Sequence, residues 1–265
     1  MNRTPGAARA QNTAAAPDNL HAPRTLGLLG GMSWESTAVY YRLINQGVAQ
    51  RLGGLHSAPL VLHSVDFATI AALQAAGDWP RAGQVLAQAA AGLRAAGAQA
   101  LVLATNTMHK VAGAIEAGSG LPLLHIADAT GAALHAAGVQ QVLLLGTRFT
   151  MEDDSILRSR LQLQPGLHVR VPEADERALL HRVIFDELCR GVVNAPSRAE
   201  VVALIARHAA RGAQAVILGC TELMLLLDDS SSPLPTFDST ALHAAAAVRW
   251  MLGDTTAQPR PETSP

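Results

Sequence analysis

The strongest constraint on the fold of this chain is that it repeats itself. LGLLGG at 26–31 resembles VLLLGT at 142–147, and LVLATNT at 101–107 resembles VILGCTE at 216–222. The spacings match as well: Gly30 to Thr105 is 75 residues and Gly146 to Cys220 is 74, while Thr105 to Leu121 is 16 and Cys220 to Leu234 is 14. Two coincident spacings imply a duplication, and hence two lobes of about 115 residues each. The superposition pairs Thr105 with Cys220, Asn106 with Thr221 and Thr107 with Glu222.

Within each half, short all-apolar runs alternate with long Ala/Leu/Arg stretches of helical period. This is the pattern of parallel strands buried on both faces and joined by crossover helices. The runs are TLGLLG, LVLHSV, ALVLAT and LPLLHI in the first half, and VLLLGT, HVRVP, AVILGC and LPTF in the second. Helical windows fall at 79–97, 108–118, 150–163, 174–190 and 197–211. The expected fold class is therefore α/β: two duplicated lobes, each with a mainly parallel sheet, related by a pseudo-twofold with the site between them. The expected boundaries are a first lobe at 25–125 and a second at 126–238, with a last helix at 239–253 returning to the first lobe. Polar, proline-broken tails are expected at 1–24 and 254–265. With 49% apolar and 15% charged residues, the chain can bury a core in each lobe.

Several function classes lose support at this level. Twenty Lys and Arg against 21 Asp and Glu, with no basic run, leave no electrostatic footprint for nucleic acid or an anionic membrane. No window approaches 18 consecutive apolar residues, and the first 24 residues lack the apolar core of a secretory signal. Two cysteines, Cys189 and Cys220, cannot build a disulfide framework. A cytoplasmic location is expected. The glycines around Gly30 fail the G-x-G-x-x-G spacing, and no P-loop or H-E-x-x-H occurs, so neither a nucleotide cofactor nor a metal is expected.

In a parallel α/β sheet, ligands bind beyond the carboxyl ends of the strands. Both repeated segments are such strand ends turning into helices, so Thr105 and Cys220 should meet across one cleft. Free backbone N–H groups at each helix start would suit a carboxylate or enolate oxygen. Residues such as Asn106 and Thr107 are also ordinary helix caps, and only the duplication argues for more. Cys220 should have its pKa lowered from about 8.5 into the range of roughly 3.5–7.5 by a following helix. A cysteine ending an apolar strand is ordinarily plain packing, and again the repeat argues otherwise. Cys189, in the helical FDELCRG, reads as packing. His109 either points into the cleft or lies on the helix surface.

GLLGGMSWEST at 27–37, ATNTMHK at 104–110, LPLLHIADAT at 121–130, LLGTR at 144–148, PEADER at 172–177 and GCTEL at 219–223 resemble the aspartate/glutamate racemase family, over about residues 25–253. GGMSWEST together with GCTEL is similar to its amino-acid racemase branch, and T-N-T-M-H-K to its broad-specificity members acting on L-aspartate and L-glutamate. The resemblance implies cofactor-independent inversion at Cα by one acid/base group in each lobe, on opposite faces of the substrate. It assigns Cys220 as the second-lobe catalytic group and places Thr105 at the first-lobe cysteine position. Gly31, Met32, Asn106 and Thr107 match substrate-binding positions of the first lobe. Thr147, Thr221 and Glu222 match those of the second.

Two departures accompany the resemblance. A hydroxyl at position 105 is too weak an acid to rest as a base, so abstraction by Cys220 from one enantiomer should be fast and the opposite direction slow. Family members also carry a lysine after PEADER, where this chain reads Ala178-Leu179-Leu180. Arg177 or His181 would substitute for it, or the substrate is not dicarboxylic. Expected partners are a small amino-acid substrate and, as one option, a second copy of the chain. The alternatives are a single-thiol decarboxylase or isomerase on the same scaffold and a ligand-binding relic.

Overall fold

The computed structural model describes residues 22–228 and 230–254. It contains two four-stranded parallel sheets with the same strand order, β2-β1-β3-β4 and β6-β5-β7-β8. The first uses β1 (Leu26–Gly30), β2 (Leu60–Ser64), β3 (Ala100–Leu103) and β4 (Leu123–Leu124). The second uses β5 (Gln141–Leu145), β6 (His168–Arg170), β7 (Ala215–Leu218) and β8 (Thr236–Asp238). Six lie wholly within the apolar runs of the sequence, while β5 begins one residue before its run and β8 ends one residue after its own.

The central strands look continuously apolar because each face of the sheet is covered. In β1, Leu26 and Leu28 join one buried cluster and Leu29 the opposite one; in β3, Val102 and Leu103 divide likewise. The second sheet repeats the pattern with Leu143 and Leu145 on one face and Val142 and Leu144 on the other. Each fully buried leucine contributes roughly 1.5–3 kcal/mol, so the period of two is enforced by burial on both sides.

The covering helices are α1 (Trp34–Leu52), α2 (Phe67–Ala76), α3 (Trp79–Ala95), α4 (Ala112–Ser119) and α5 (Ile126–Ala136), then the short α6 (Arg148–Glu152) and α7 (Arg158–Leu161). They continue with α8 (Ala174–Arg182), α9 (Ala195–Ala210), α10 (Leu223–Leu226) and α11 (Ser239–Leu252). No helix among the described residues is long and apolar enough to cross a membrane. In α1, Thr37, Tyr40, Ile44 and Val48 are buried at helical spacing, and this stripe meets Ala244, Ala247 and Val248 of α11 on the first sheet. The chain end thus returns to its beginning: the Arg24 N–H donates to the Met251 carbonyl at 2.9 Å and Asp254 pairs with Arg51. The remainder of the expected tails, 1–21 and 255–265, lies outside the described residues.

Three helical windows differ from expectation. The window 108–118 opens as a 3-10 turn over Thr107–Val111 and becomes α4 only at Ala112. The window 150–163 is interrupted between α6 and α7, where the Asp153 carboxylate accepts from the Ser155 backbone N–H at 3.0 Å and so forms a turn. The window 174–190 is one helix only to Arg182, followed by a π turn over Val183–Glu187 and a 3-10 turn over Leu188–Arg190. The wider π turn changes the angular phase of residues 188–190, which brings Cys189 to the cleft.

Candidate active site

The carboxyl ends of β1, β3, β5 and β7 open on one cleft of about 60 Å³ that continues into solvent. Thr105, Asn106 and Thr107 line it from the end of β3, and Cys220, Thr221 and Glu222 from the end of β7. Met32 and Thr147 complete the set of expected residues that the fold brings together.

Glu222 is the hub. Its side chain is buried, and the Cys220 Sγ–H donates to Oε2 at 2.9 Å, joined there by the Thr221 hydroxyl at 2.8 Å. Oε1 accepts from Ser33 at 3.2 Å and from Ser36 at 3.4 Å. Ser36 and Thr221 also hydrogen-bond each other. Ser33 is the N-cap of α1, its Oγ accepting from the Ser36 N–H at 3.2 Å, so a single hydroxyl both starts the helix and crosses to the second sheet. Sequence reasoning missed both serines; the available signal was the Ser-x-x-Ser spacing at a helix start inside GGMSWEST.

The resting state of Cys220 corrects the sequence expectation. Burial, the nearby Glu222 charge and the hydrogen bond to it hold the thiol well above its ordinary range. The expected lowering fails because α10 has only four residues, too few for an appreciable dipole, and because the nearest charge is negative. Cys220 therefore rests as a thiol whose proton already lies on a path to a carboxylate.

Cys189 is likewise not a core residue. It is exposed and lines the same cleft, with its thiol pushed up to about 12 by partial burial and then by Glu222 and Glu35. His109 takes neither expected position. It is buried behind Thr105, its Nε2 accepting from the Ile126 N–H at 3.3 Å, which leaves Nδ1–H to donate to the Thr105 carbonyl at 2.8 Å. Its ring contacts His125 and His243, and burial holds its pKa well below 6.5. Among the described residues no group of three or more His, Cys, Asp or Glu is arranged to hold a metal.

Gly31 and Arg177 lie outside the lining of the cleft. The Gly31 N–H, expected to meet a ligand, donates to Thr37 Oγ1 at 2.8 Å. The residue sits at φ +93°, where an added Cβ would stand 2.2 Å from the Val65 carbonyl oxygen, so glycine is required for the turn itself. Arg177 donates to Glu152 at 3.2 Å and to the Pro172 carbonyl at 2.8 Å. Asn106 and Thr107 have structural partners too. Asn106 reaches Ser239, which donates to the Leu218 carbonyl, and Thr107 meets Thr147 at 3.5 Å and Thr150 at 3.3 Å. These bonds join the strand ends of one sheet to the other and hold the cleft walls in register.

The fold and site define a two-lobed α/β protein whose shared cleft offers a thiol–carboxylate pair and a set of neutral donors to a small molecule. Residues 29–247 match the Asp/Glu/Hydantoin racemase family. The chain is similar to a Yersinia pestis protein provisionally called an Asp/Glu racemase, at 50% identity and a TM-score of 0.82 over 86% of this chain and 99% of that one. It is also similar to an aspartate racemase homologue from Pyrococcus horikoshii, at 31% identity and TM-score 0.73 over 85% of this chain and 98% of that one. An aspartate racemase from Picrophilus torridus shares the fold at 19% identity and TM-score 0.67, over 85% of this chain and 93% of that one. The chain belongs to the Asp/Glu/Hydantoin racemase family.

Proposed function

We propose that the protein is an amino-acid racemase that inverts Cα by proton removal and return, with aspartate and glutamate the first substrates to test from the family name. The carrying observation is the Cys220 Sγ–H on Glu222 Oε2 at 2.9 Å, in a cleft shared with Thr105. Glu222 accepts the thiol proton, and the thiolate so formed removes the Cα proton. The resulting enediolate is stabilised by neutral donors, among them Asn106 and the cleft hydroxyls. A proton reaches the other face from water held by the Thr105 hydroxyl, and the proton left on Glu222 returns to solvent.

His109 holds the Thr105 backbone carbonyl at 2.8 Å and so fixes the main chain that carries that hydroxyl. Since Thr105 is no resting base, the direction in which Cys220 abstracts is the fast one. At equilibrium the two enantiomers are still equal.

The test is incubation of single enantiomers of aspartate and glutamate in D₂O. Loss of the Cα proton and appearance of the mirror enantiomer are followed by NMR and chiral chromatography. Inversion of neither enantiomer, for these or any other α-amino acid, would remove the reading. One observation favours a second reading: Cys220 rests protonated, as a decarboxylase that only has to protonate an enediolate would require. Release of CO₂ from a 2-substituted malonate, without amino-acid inversion, would select it.

A further inference from the structure

We propose that the substrate amino acid carries an uncharged, largely apolar side chain, received by a wall made of Phe149, Ile184 and Phe185. The inference rests on the racemase reading and refines its substrate. Among the described residues, none of those lining the cleft is Lys, Arg or His, and the only charged one is Glu222. The neutral donors of the cleft, Asn106 and the Thr105 hydroxyl among them, can take the α-carboxylate. A second carboxylate would then lose its water with no cation to meet it and a negative charge nearby, which is the costly case for an ion.

The cations close enough to be candidates are occupied or neutral. Arg177 is held by Glu152 and the Pro172 carbonyl. Lys110 pairs with Asp153 and lies over the Trp79 ring at 5.1 Å. Arg148 pairs with Glu152 at 3.9 Å, its guanidinium 5.9 Å from the centre of the Phe149 ring. His181 is committed to structure: its Nδ1 accepts from the Arg148 backbone N–H at 3.4 Å, and its ring lies 4.6 Å from Phe185 and 6.2 Å from Phe149, centre to centre. Burial and the Arg148 charge lower its pKa, so it offers no positive charge at neutral pH.

The same histidine braces two of the rings that line the cleft. Phe67 and Met32 add further apolar surface from the first half of the chain. Where a dicarboxylic substrate would need a lysine or arginine, the cleft thus presents aromatic rings, which favour an apolar group on the grounds of burial alone.

The experiment measures initial Cα–H exchange in D₂O for L-phenylalanine, L-methionine, L-alanine, L-aspartate and L-glutamate with the wild-type chain, and repeats it with Phe185→Ala. The expected result is a kcat/KM for phenylalanine or methionine at least tenfold above that for aspartate and glutamate. The Phe185→Ala variant should reduce the phenylalanine-to-alanine preference at least fivefold, chiefly through KM. Aspartate or glutamate exchanged as fast as the apolar substrates would overturn the inference and leave the racemase reading standing. An unchanged preference in Phe185→Ala would overturn the assignment of the wall. Exchange of no amino acid would overturn both the inference and the reading beneath it.

Discussion

Replacing Glu222 by Gln separates what the carboxylate does for the fold from what it does for the chemistry. Four donors converge on it: Ser33 at 3.2 Å, Ser36 at 3.4 Å, Cys220 at 2.9 Å and Thr221 at 2.8 Å. A hydrogen bond to a charged acceptor is worth about 1.5–3 kcal/mol and to a neutral one about 0.5–1.5 kcal/mol, so each bond loses about 1 kcal/mol. The new amide NH₂ also faces two donors, although the Thr221 hydroxyl can turn. Against these losses stands the relief of no longer burying a charge. The net expectation is a destabilisation of about 2 kcal/mol, or roughly 4–8 °C in Tm for a chain of this size.

The chemical effect should be far larger. With no carboxylate to take the thiol proton, Cα exchange should fall by about 10²–10⁴-fold, the usual worth of a positioned general base. The assays are a urea titration with a melting curve, and NMR exchange in D₂O at equal enzyme concentration. A folded Glu222→Gln variant exchanging at the wild-type rate would refute the role assigned to Glu222 and with it the route by which Cys220 becomes a base.

Thr105→Cys should raise the rate in the slow direction about tenfold or more while leaving the fast one little changed; equal rates before and after, in a folded variant, would show that position 105 does not meet the substrate. The neutral, buried His243, with a pKa of about 4 against 6.5 when unfolded, makes the unfolded chain bind more protons between those values. Stability should therefore be complete above pH 6.5 and fall by roughly 3 kcal/mol down to pH 4 from this residue alone. His243→Gln keeps an acceptor for Tyr40 and a donor for the Leu124 carbonyl, and should flatten that slope in urea midpoints measured across pH 4–7. Gly219→Ala would set a Cβ 2.6 Å from the Leu145 carbonyl oxygen, next to Cys220. It should cost about 1–3 kcal/mol in denaturant titrations and reduce exchange as the thiol is displaced.

The fold was readable because it rests on the two signals that a single sequence carries well: apolar runs long enough for both faces of a parallel sheet, and a repeat with fixed spacing. Each of β1 to β8 coincides with one of those runs to within a residue. The meeting of Thr105 and Cys220 in one cleft follows from the same repeat.

The features that were not readable depend on local geometry that composition does not reveal. Helical periodicity placed Cys189 in packing, but the π turn at Val183–Glu187 changes the phase and exposes it to the cleft. A strand end before an apolar stretch suggested a helix dipole at Cys220, whereas α10 is four residues long and Glu222 lies against the sulfur. His109 could not be placed because its partners, the Thr105 carbonyl and the Ile126 N–H, are backbone groups, which leave no mark on residue type. Arg177 is one of the two substitutes the sequence offers for the missing lysine, yet Glu152, 25 residues away, claims its guanidinium.

Two thiols line one cleft, and Cα–deuterium exchange of Cys220→Ala alongside Cys189→Ala decides which of them is the acid/base group. Each is followed from both enantiomers of the best-exchanged amino acid, with folding checked by circular dichroism. Cys220→Ala should show no detectable exchange from either enantiomer. Cys189→Ala should exchange at near-wild-type rate, and loss of its exposed side chain should cost little stability. Sustained exchange in a folded Cys220→Ala variant, or its loss only in Cys189→Ala, would contradict the assignment of Cys220 to that role.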